Sequence, residues 1–525
     1  MKKTLFALIG FILIVSMFLA ACSTGTSTSK STATTNPATT TPTATVDKYG
    51  GVWREGEAAA PSKGIGYVPE FNNDSYIWAS PALETLMQVQ QDGTITPNLA
   101  TAWKVADDGL SVTLTLRQGV KFHDGSDFNA DVCKWNLDGE IAAKAANAMS
   151  WKSVDVIDPY TVRINLTSFQ NIILNNLTTW VSMQASKAYV DKNGIEAARW
   201  NPVGTGAFIF DSYVPGSKAT YKRNPNYWDT GKPYVDGVTF SVIADDTVRK
   251  LAFEKGDLDR VTVAGGSDAT EVQNLGFPIK TAPGGTFFLV PDSNNPNSPW
   301  ANIKVRQAGY FALDRASLAK GLGLGYLNPA FQLYPGYADS KIPDLPLKDN
   351  DPVKAKQLLS EAGYPTGFKT NIHNATRGTP KDYMEAVAQQ LRGIGLEITT
   401  DMPDAGRYSD MRAKGWNDGL LNHGTAAAGN KNSLFQSTFM GKDFVSCKIP
   451  DAFITAATAS INSKNYDPKL VQAAFKILSD DVTVIPYAEQ VQCCFYRKGT
   501  NDPDAALFGT LLPHWKNLWI DKSAR

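Results

Sequence analysis

Histidine is scarce in this chain: 525 residues include four, His123, His373, His423 and His514. No two stand at metal-ligand spacing, and there is neither a His-Glu-x-x-His motif nor a Cys/His cluster, so no resident metal is expected. A Gly-x-Ser-x-Gly elbow is also missing. Ser317-Leu-Ala-Lys320 fits the Ser-x-x-Lys pattern of acyl-enzymes, but its Ser-Asp-Asn and Lys-Thr-Gly companions do not occur. Gly321-x-Gly323-x-Gly325 fails as a dinucleotide fingerprint, because Tyr326 stands where the last glycine belongs. No catalytic residue and no cofactor is assigned. Neither sign of charge prevails: 51 basic residues balance 51 acidic ones, and no basic patch stands out, which argues against nucleic acid.

Long apolar runs are confined to the start. Lys2 and Lys3 precede an apolar stretch from Leu5 to Val15, which ends at Leu19-Ala20-Ala21. A basic start, a short apolar core and small residues at its end read as a signal peptide over 1–21. Leu-Ala-Ala-Cys22 resembles a bacterial lipobox, making Cys22 the lipid attachment site. Residues 22–46 are a Ser/Thr/Pro tract with no aliphatic residue larger than alanine before Val46. Such a tract cannot offset its ordering entropy by burial, so it reads as a disordered tether that holds the body outside the cytoplasmic membrane. With Cys22 given to lipid, Cys133, Cys447, Cys493 and Cys494 remain. A bridge from Cys447 to Cys493 or Cys494 and a set of buried free thiols both fit an oxidising compartment.

The remaining body is too long for one ordinary core, and two or more lobes are expected. SVTLTL (111–116) and TVRINL (161–166) alternate apolar residues with a period of two, as half-buried strands do. Asp107-Asp108-Gly109 and Asp124-Gly125 mark turns between such runs. Residues 350–425 change character. Asp351-Pro352 opens a helix that ends at Gly363; FKTNI (368–372), a helix from Pro380 to Gly395, LEITT (396–400), a helix near 405–413 and GLLNHG (419–424) follow. This alternation predicts parallel βαβ units, whose ligands sit beyond the carboxyl ends of the strands. Asn422, His423 and Gly424 fall at such an end.

Four blocks then carry a resemblance. They are PNLATAWKVADDGLSVTLTLRQGVKFHDGSDFNADV (97–132), NPVGTGAFIFDSYVPGSKATYKRNPNYW (201–228), the stretch from KPYVDGVTFSVIADDTVRKLAFEKGDLD (232–259) to IKVRQAGYFALDRASLAKGLGLGY (303–326), and DPVKAKQLLSEAGYPTGF (351–368) with MEAVAQQLRGIGLEI (384–398). Together, in this order, they resemble the extracytoplasmic solute-binding proteins of ABC importers, family 5, which includes oligopeptide-, dipeptide- and nickel-binding lipoproteins. The resemblance implies an α/β, two-lobed periplasmic-binding-protein fold of type II, the large variant with an extra subdomain. It places lobe I at 47–285, lobe II at 286–491 and a return to lobe I at 492–525, joined by a hinge that closes on solute. The implied partners are a small solute, ABC permease subunits and, through the lipid, the membrane; the chain is expected to be a monomer.

In peptide-binding members an aspartate soon after the strand matching 418–422 holds the ligand's ammonium. Here no acid follows Asp418 until Asp443. A buried ammonium without that partner is costly, which weakens the peptide reading unless another acid substitutes. Neutral Asn422 and His423 suit a polar uncharged ligand or an anion, so an oligosaccharide or a metal chelate stands beside a peptide. Pocket candidates among the aromatics are Tyr67, Phe71, Trp180, Phe287, Trp416 and Tyr487, with Thr205 from the Gly204-Thr205-Gly206 turn. A hydrolase using Ser317 or His423, or a sensor on the same scaffold, are the competing functions.

Overall fold

A computed structural model describes residues 47–525 apart from 72, 91–92, 264–265, 346–349, 376–380, 418, 426–429, 442, 505–513 and 525; side chains 73, 74 and 146 are also left undescribed. The leader, Cys22, the tether and Asp418 lie outside the described residues.

The alternating runs form strands. Ser111–Leu116 and Thr161–Leu166 pair antiparallel at the centre of a four-stranded sheet, with Ala100–Val105 and Trp151–Asp158 on its edges. Val112, Leu114, Leu116, Val162, Ile164 and Leu166 all face one core, which the Ala130–Ala142 helix covers with Cys133 and Leu137. A second four-stranded sheet joins Val52–Glu57, Gly237–Val242, Lys218–Arg223 and Phe208–Val214 in that spatial order. Its core of Trp53, Phe208, Tyr221 and Phe240 also takes Trp515, Leu518 and Ile520 from the C-terminal segment.

The βαβ region folds as its periodicity requires. Asp351 caps Pro352–Glu361 by accepting a hydrogen bond from the Lys354 amide. The Lys381–Arg392 helix buries Tyr383, Met384, Val387, Ala388 and Leu391, one stripe at helical spacing. Lys369–Asn374 lies parallel to both Glu397–Asp401 and Gly419–Gly424, which aligns the carboxyl ends of these strands. They belong to a seven-stranded sheet that continues through Ile279–Pro291 and Ile485–Tyr496 to Arg260–Val263.

Ile279–Pro291 and Ile485–Tyr496 pair antiparallel, with register shifts between Pro283 and Thr286 and again between Phe287 and Phe288. A Cβ on Gly284 would stand 2.6 Å from the Gln490 carbonyl oxygen, so the backbones meet there only because the residue is glycine. Before the shift, Ile279 packs with Phe253, Val261 and Phe495; after it, Phe287 and Leu289 enter the core over the βαβ units. One strand thus serves two cores across an interrupted ladder. Cys133, Cys447, Cys493 and Cys494 are all buried free thiols, which settles the open question of bridges among them.

Candidate functional site

At the carboxyl end of Gly419–Gly424, three of the candidate residues meet. The Tyr487 hydroxyl donates to Asn422 Oδ1 at 2.9 Å, and Asn422 Nδ2 donates to Asn374 Oδ1 at 3.0 Å. Phe287 stacks on Tyr487 with ring centroids 6.2 Å apart. Asn422, Phe287 and Tyr487 are buried, so the Asn422 amide is spent on shaping the strand end. Next in the chain, His423 packs edge-on against Phe288 and Phe444 and face to face with Tyr408. The Tyr408 hydroxyl gives its one hydrogen to the Asn422 carbonyl at 2.8 Å. His423 Nδ1, 2.9 Å from the same oxygen, is then assigned as its donor, and Nε2 as the lone-pair nitrogen. Burial, helped by Arg412, lowers the His423 pKa to about 3, so the ring is neutral at physiological pH. Gly424 is exposed, and Trp416 is buried against Phe444.

The other aromatics gather elsewhere. Tyr67 and Phe71 flank the short Val68–Glu70 turn, and Trp180 opens another at Trp180–Ser182. Both turns touch each other and the Ala130–Ala142 helix. Trp180 stacks on Tyr76 at 5.6 Å. Thr205 is fully buried and donates to Glu84 Oε2 at 2.8 Å; Tyr227 and Trp228 donate to the same carboxylate at 2.6 and 2.8 Å. Burial raises the Glu84 pKa, while Lys516 and the three donors oppose that shift. Glu84, Thr85, Asn98, Thr178, Tyr227 and Lys516 are among the residues lining a solvent-open recess. Gly204 and Gly206 pack against the backbone of Pro81 and Ala82, where a Cβ would come within 2.1 and 2.5 Å of a carbonyl oxygen. His123 Nε2 bonds the Gly206 carbonyl at 3.0 Å, in keeping with a structural role for that turn.

Beyond the strand end, the segment from Asn430 reaches residues far away in sequence. Asn430 Nδ2 donates to Asn175 Oδ1 at 3.0 Å, and Asn432 Nδ2 donates to Asn171 Oδ1 at 3.0 Å. Between them, Lys431 is fully buried, with Nζ 3.7 Å from Asp339 and 3.9 Å from the Tyr337 ring centre. Burial lowers the Lys431 pKa, and Asp339 opposes it. Tyr466 donates to Asp339, and Tyr337 donates to the Pro283 carbonyl at the strand irregularity. Sequence reasoning passed over Glu84, Asn171, Asn175, Asn430, Lys431 and Asn432; the one available signal was the pair of asparagines on either side of Lys431. The site therefore offers amides, hydroxyls and aromatic faces, with Lys431 paired to Asp339 and Glu84 held by neutral donors. Ser317 shows no nucleophile geometry, since its hydroxyl donates to the helix-capping Asp314 at 2.6 Å.

The family model of bacterial extracellular solute-binding proteins, family 5 Middle, matches residues 94–444. The glutathione-binding protein GsiB of Shigella flexneri is 32% identical over 334 residues, covering 60% of this chain and 63% of the relative, so the chain spans less than two thirds of that protein's length. Among solved structures, HbpA2 from Haemophilus parasuis superposes with a TM-score of 0.77 at 22% identity, over 90% of this chain and 100% of that one. DppA from Helicobacter pylori, in complex with the peptide STSA, gives 0.71 at 22% identity, over 91% and 99%. These likenesses establish the two-lobed fold, and the family is one of binding proteins rather than enzymes. On the match over 94–444, this chain belongs to the bacterial extracellular solute-binding proteins of family 5.

Proposed function

We propose that this protein captures a short peptide or peptide-like solute between two closing lobes and delivers it to the permease subunits of an ABC importer. The observation that carries the reading is the meeting of Asn171 and Asn175, in the proposed first lobe, with Asn430 and Asn432, some 260 residues on in the second. The lobes are 47–285 with 492–525, and 286–491. Their hinge is the interrupted ladder at Pro283–Thr286 opposite Glu489–Val491. Strand pairs of broken register bend more readily than regular ones, which suits closure on a ligand. The name of the 32% identical relative supports a solute of glutathione's size and chemistry.

A thermal-shift screen with glutathione, di- to hexapeptides, α- and β-linked oligosaccharides and chelated nickel tests this. A ligand at about 100 times its Kd stabilises the fold by ~2.7 kcal/mol. Glutathione or a peptide is expected to raise the Tm. A sugar or nickel response without one from peptides overturns the peptide reading. Cys22 is proposed to carry lipid, with 22–46 as the tether. Cys22→Ala is expected to move the protein from the membrane fraction to the soluble one, and unchanged membrane retention would refute the anchor.

A further inference from the structure

We infer that Asn171 and Asn175 form a clasp that keeps the two lobes shut in the absence of solute; this rests on the two-lobe capture reading above. Asn171 occupies the N-cap of the Ile172–Asn176 helix, yet its side chain makes no capping bond there. Capping is the usual work of asparagine at that position. Instead, its backbone N–H and both polar atoms of its side chain turn to the opposite lobe. Its backbone N–H donates to the Ile461 carbonyl at 2.8 Å. Its Nδ2 donates to the Ser460 carbonyl at 2.7 Å and to Ser463 Oγ at 3.1 Å, and its Oδ1 accepts from Asn432. Asn432 is held in place by Ser460, whose hydroxyl donates to Asn432 Oδ1 at 2.8 Å. Asn175 adds the bond from Asn430.

Asn171, Asn430, Asn432 and Ser460 are all buried at this contact. When the lobes part, water replaces every one of these partners, so each bond favours closure only by its net worth, roughly fivefold in the closing equilibrium. Several such bonds made together still favour the shut state strongly. The groups are neutral amides, hydroxyls and carbonyls, so closure should not respond to salt as an ion-pair latch would. The Lys464–Asp107 pair nearby is exposed on both sides and adds little. Solute entry then requires the clasp to open first, and the apparent affinity is the intrinsic one multiplied by the open fraction.

Hydrogen exchange at the residue-171 amide reads the clasp directly, since that N–H bonds only across the lobes among the described residues. In solute-free wild-type protein it should be protected, equally at low and high salt. Asn171→Ala keeps the backbone N–H and removes the side-chain bonds; protection there should fall about tenfold or more, and Asn175→Ala should lower it by about fivefold. The amides of Leu289 and Leu421, inside the seven-stranded sheet, should be unchanged, which separates opening from unfolding. An unprotected amide in the resting wild type, or equal protection in the variants, overturns the clasp. Solutes from the screen should restore protection in Asn171→Ala. If none does while the resting difference stands, the clasp survives and the capture reading falls.

Discussion

Replacing Arg260 with leucine is expected to cost about 3–5 kcal/mol of stability, the usual consequence of stranding a buried ionic partner. Arg260 opens the first strand of the seven-stranded sheet and pairs with Glu55 at 2.7 Å and Asp502 at 3.5 Å. Glu55 belongs to the Val52–Glu57 strand of a different sheet, and Asp502 to the C-terminal segment. All three side chains are at most 12% exposed, so solvent cannot take over when the guanidinium is lost. Trp53 donates to Glu55 at 2.9 Å and Tyr496 to Asp502 at 3.1 Å, which fixes both carboxylates where they are.

The loss should also depend on pH. Burial raises the Glu55 pKa even with Arg260 present. Without Arg260 it rises further, and Glu57, at about 8, loses one of the cations opposing its own shift. A carboxyl raised in the folded state gives stability that is complete below its unfolded value near 4.5 and disappears as pH climbs through the folded value. The Arg260→Leu penalty should therefore be smallest near pH 5 and largest near pH 8. Adding Glu55→Gln should recover part of it at the higher pH. Urea unfolding at both pH values decides the matter: a loss under about 1 kcal/mol, or one that ignores pH, would mean the cluster is solvated and the argument is wrong.

The βαβ units were readable because local physics dominates them. Asp351-Pro352 can hardly do anything but start a helix, and the stripe from Met384 to Leu391 has one buried solution. The aligned strand ends followed, and Asn422 and His423 lie there. Their microscopic state was not readable, since it depends on Tyr408, Asn374 and Tyr487 arriving from other elements. The same holds for Trp416: a tryptophan near a loop fits a ligand wall, but Phe444 from a distant turn covers its ring. The clasp was invisible for a further reason. Asparagine is a turn and capping residue by local preference, and nothing local indicates that Asn171 leaves its own helix end to bond a residue 261 positions away. Glu84 and Glu140 are core residues by packing, which nothing in their local sequence indicates.

Glu140 gives the second large effect, with the opposite sign in mutagenesis: Glu140→Gln is expected to stabilise the protein at pH 8. The residue lies near the end of the Ala130–Ala142 helix, is 2% exposed, and its Oε1 has no hydrogen-bond partner among the described residues. Burial alone pushes its pKa to about 8. Between the unfolded value near 4.5 and that folded value, the native state holds a proton that the unfolded chain has released, so stability falls as pH rises. At about 1.4 kcal/mol per pH unit, this removes about 3 kcal/mol by pH 7. Glutamine has nearly the shape of the protonated acid and cannot ionise. The variant should match wild type near pH 4.5, then pull ahead as pH rises, by about 4 kcal/mol at pH 8. Some slope should persist in the variant, because Glu57 is shifted in the same direction by burial and by Glu55. Denaturant titrations of both proteins from pH 4.5 to 8.5 give the two curves. If they coincide, Glu140 is ionised and hydrated in the native state, and its helix end is open to water. If they diverge as expected, this carboxyl sets much of the upper pH limit of the fold.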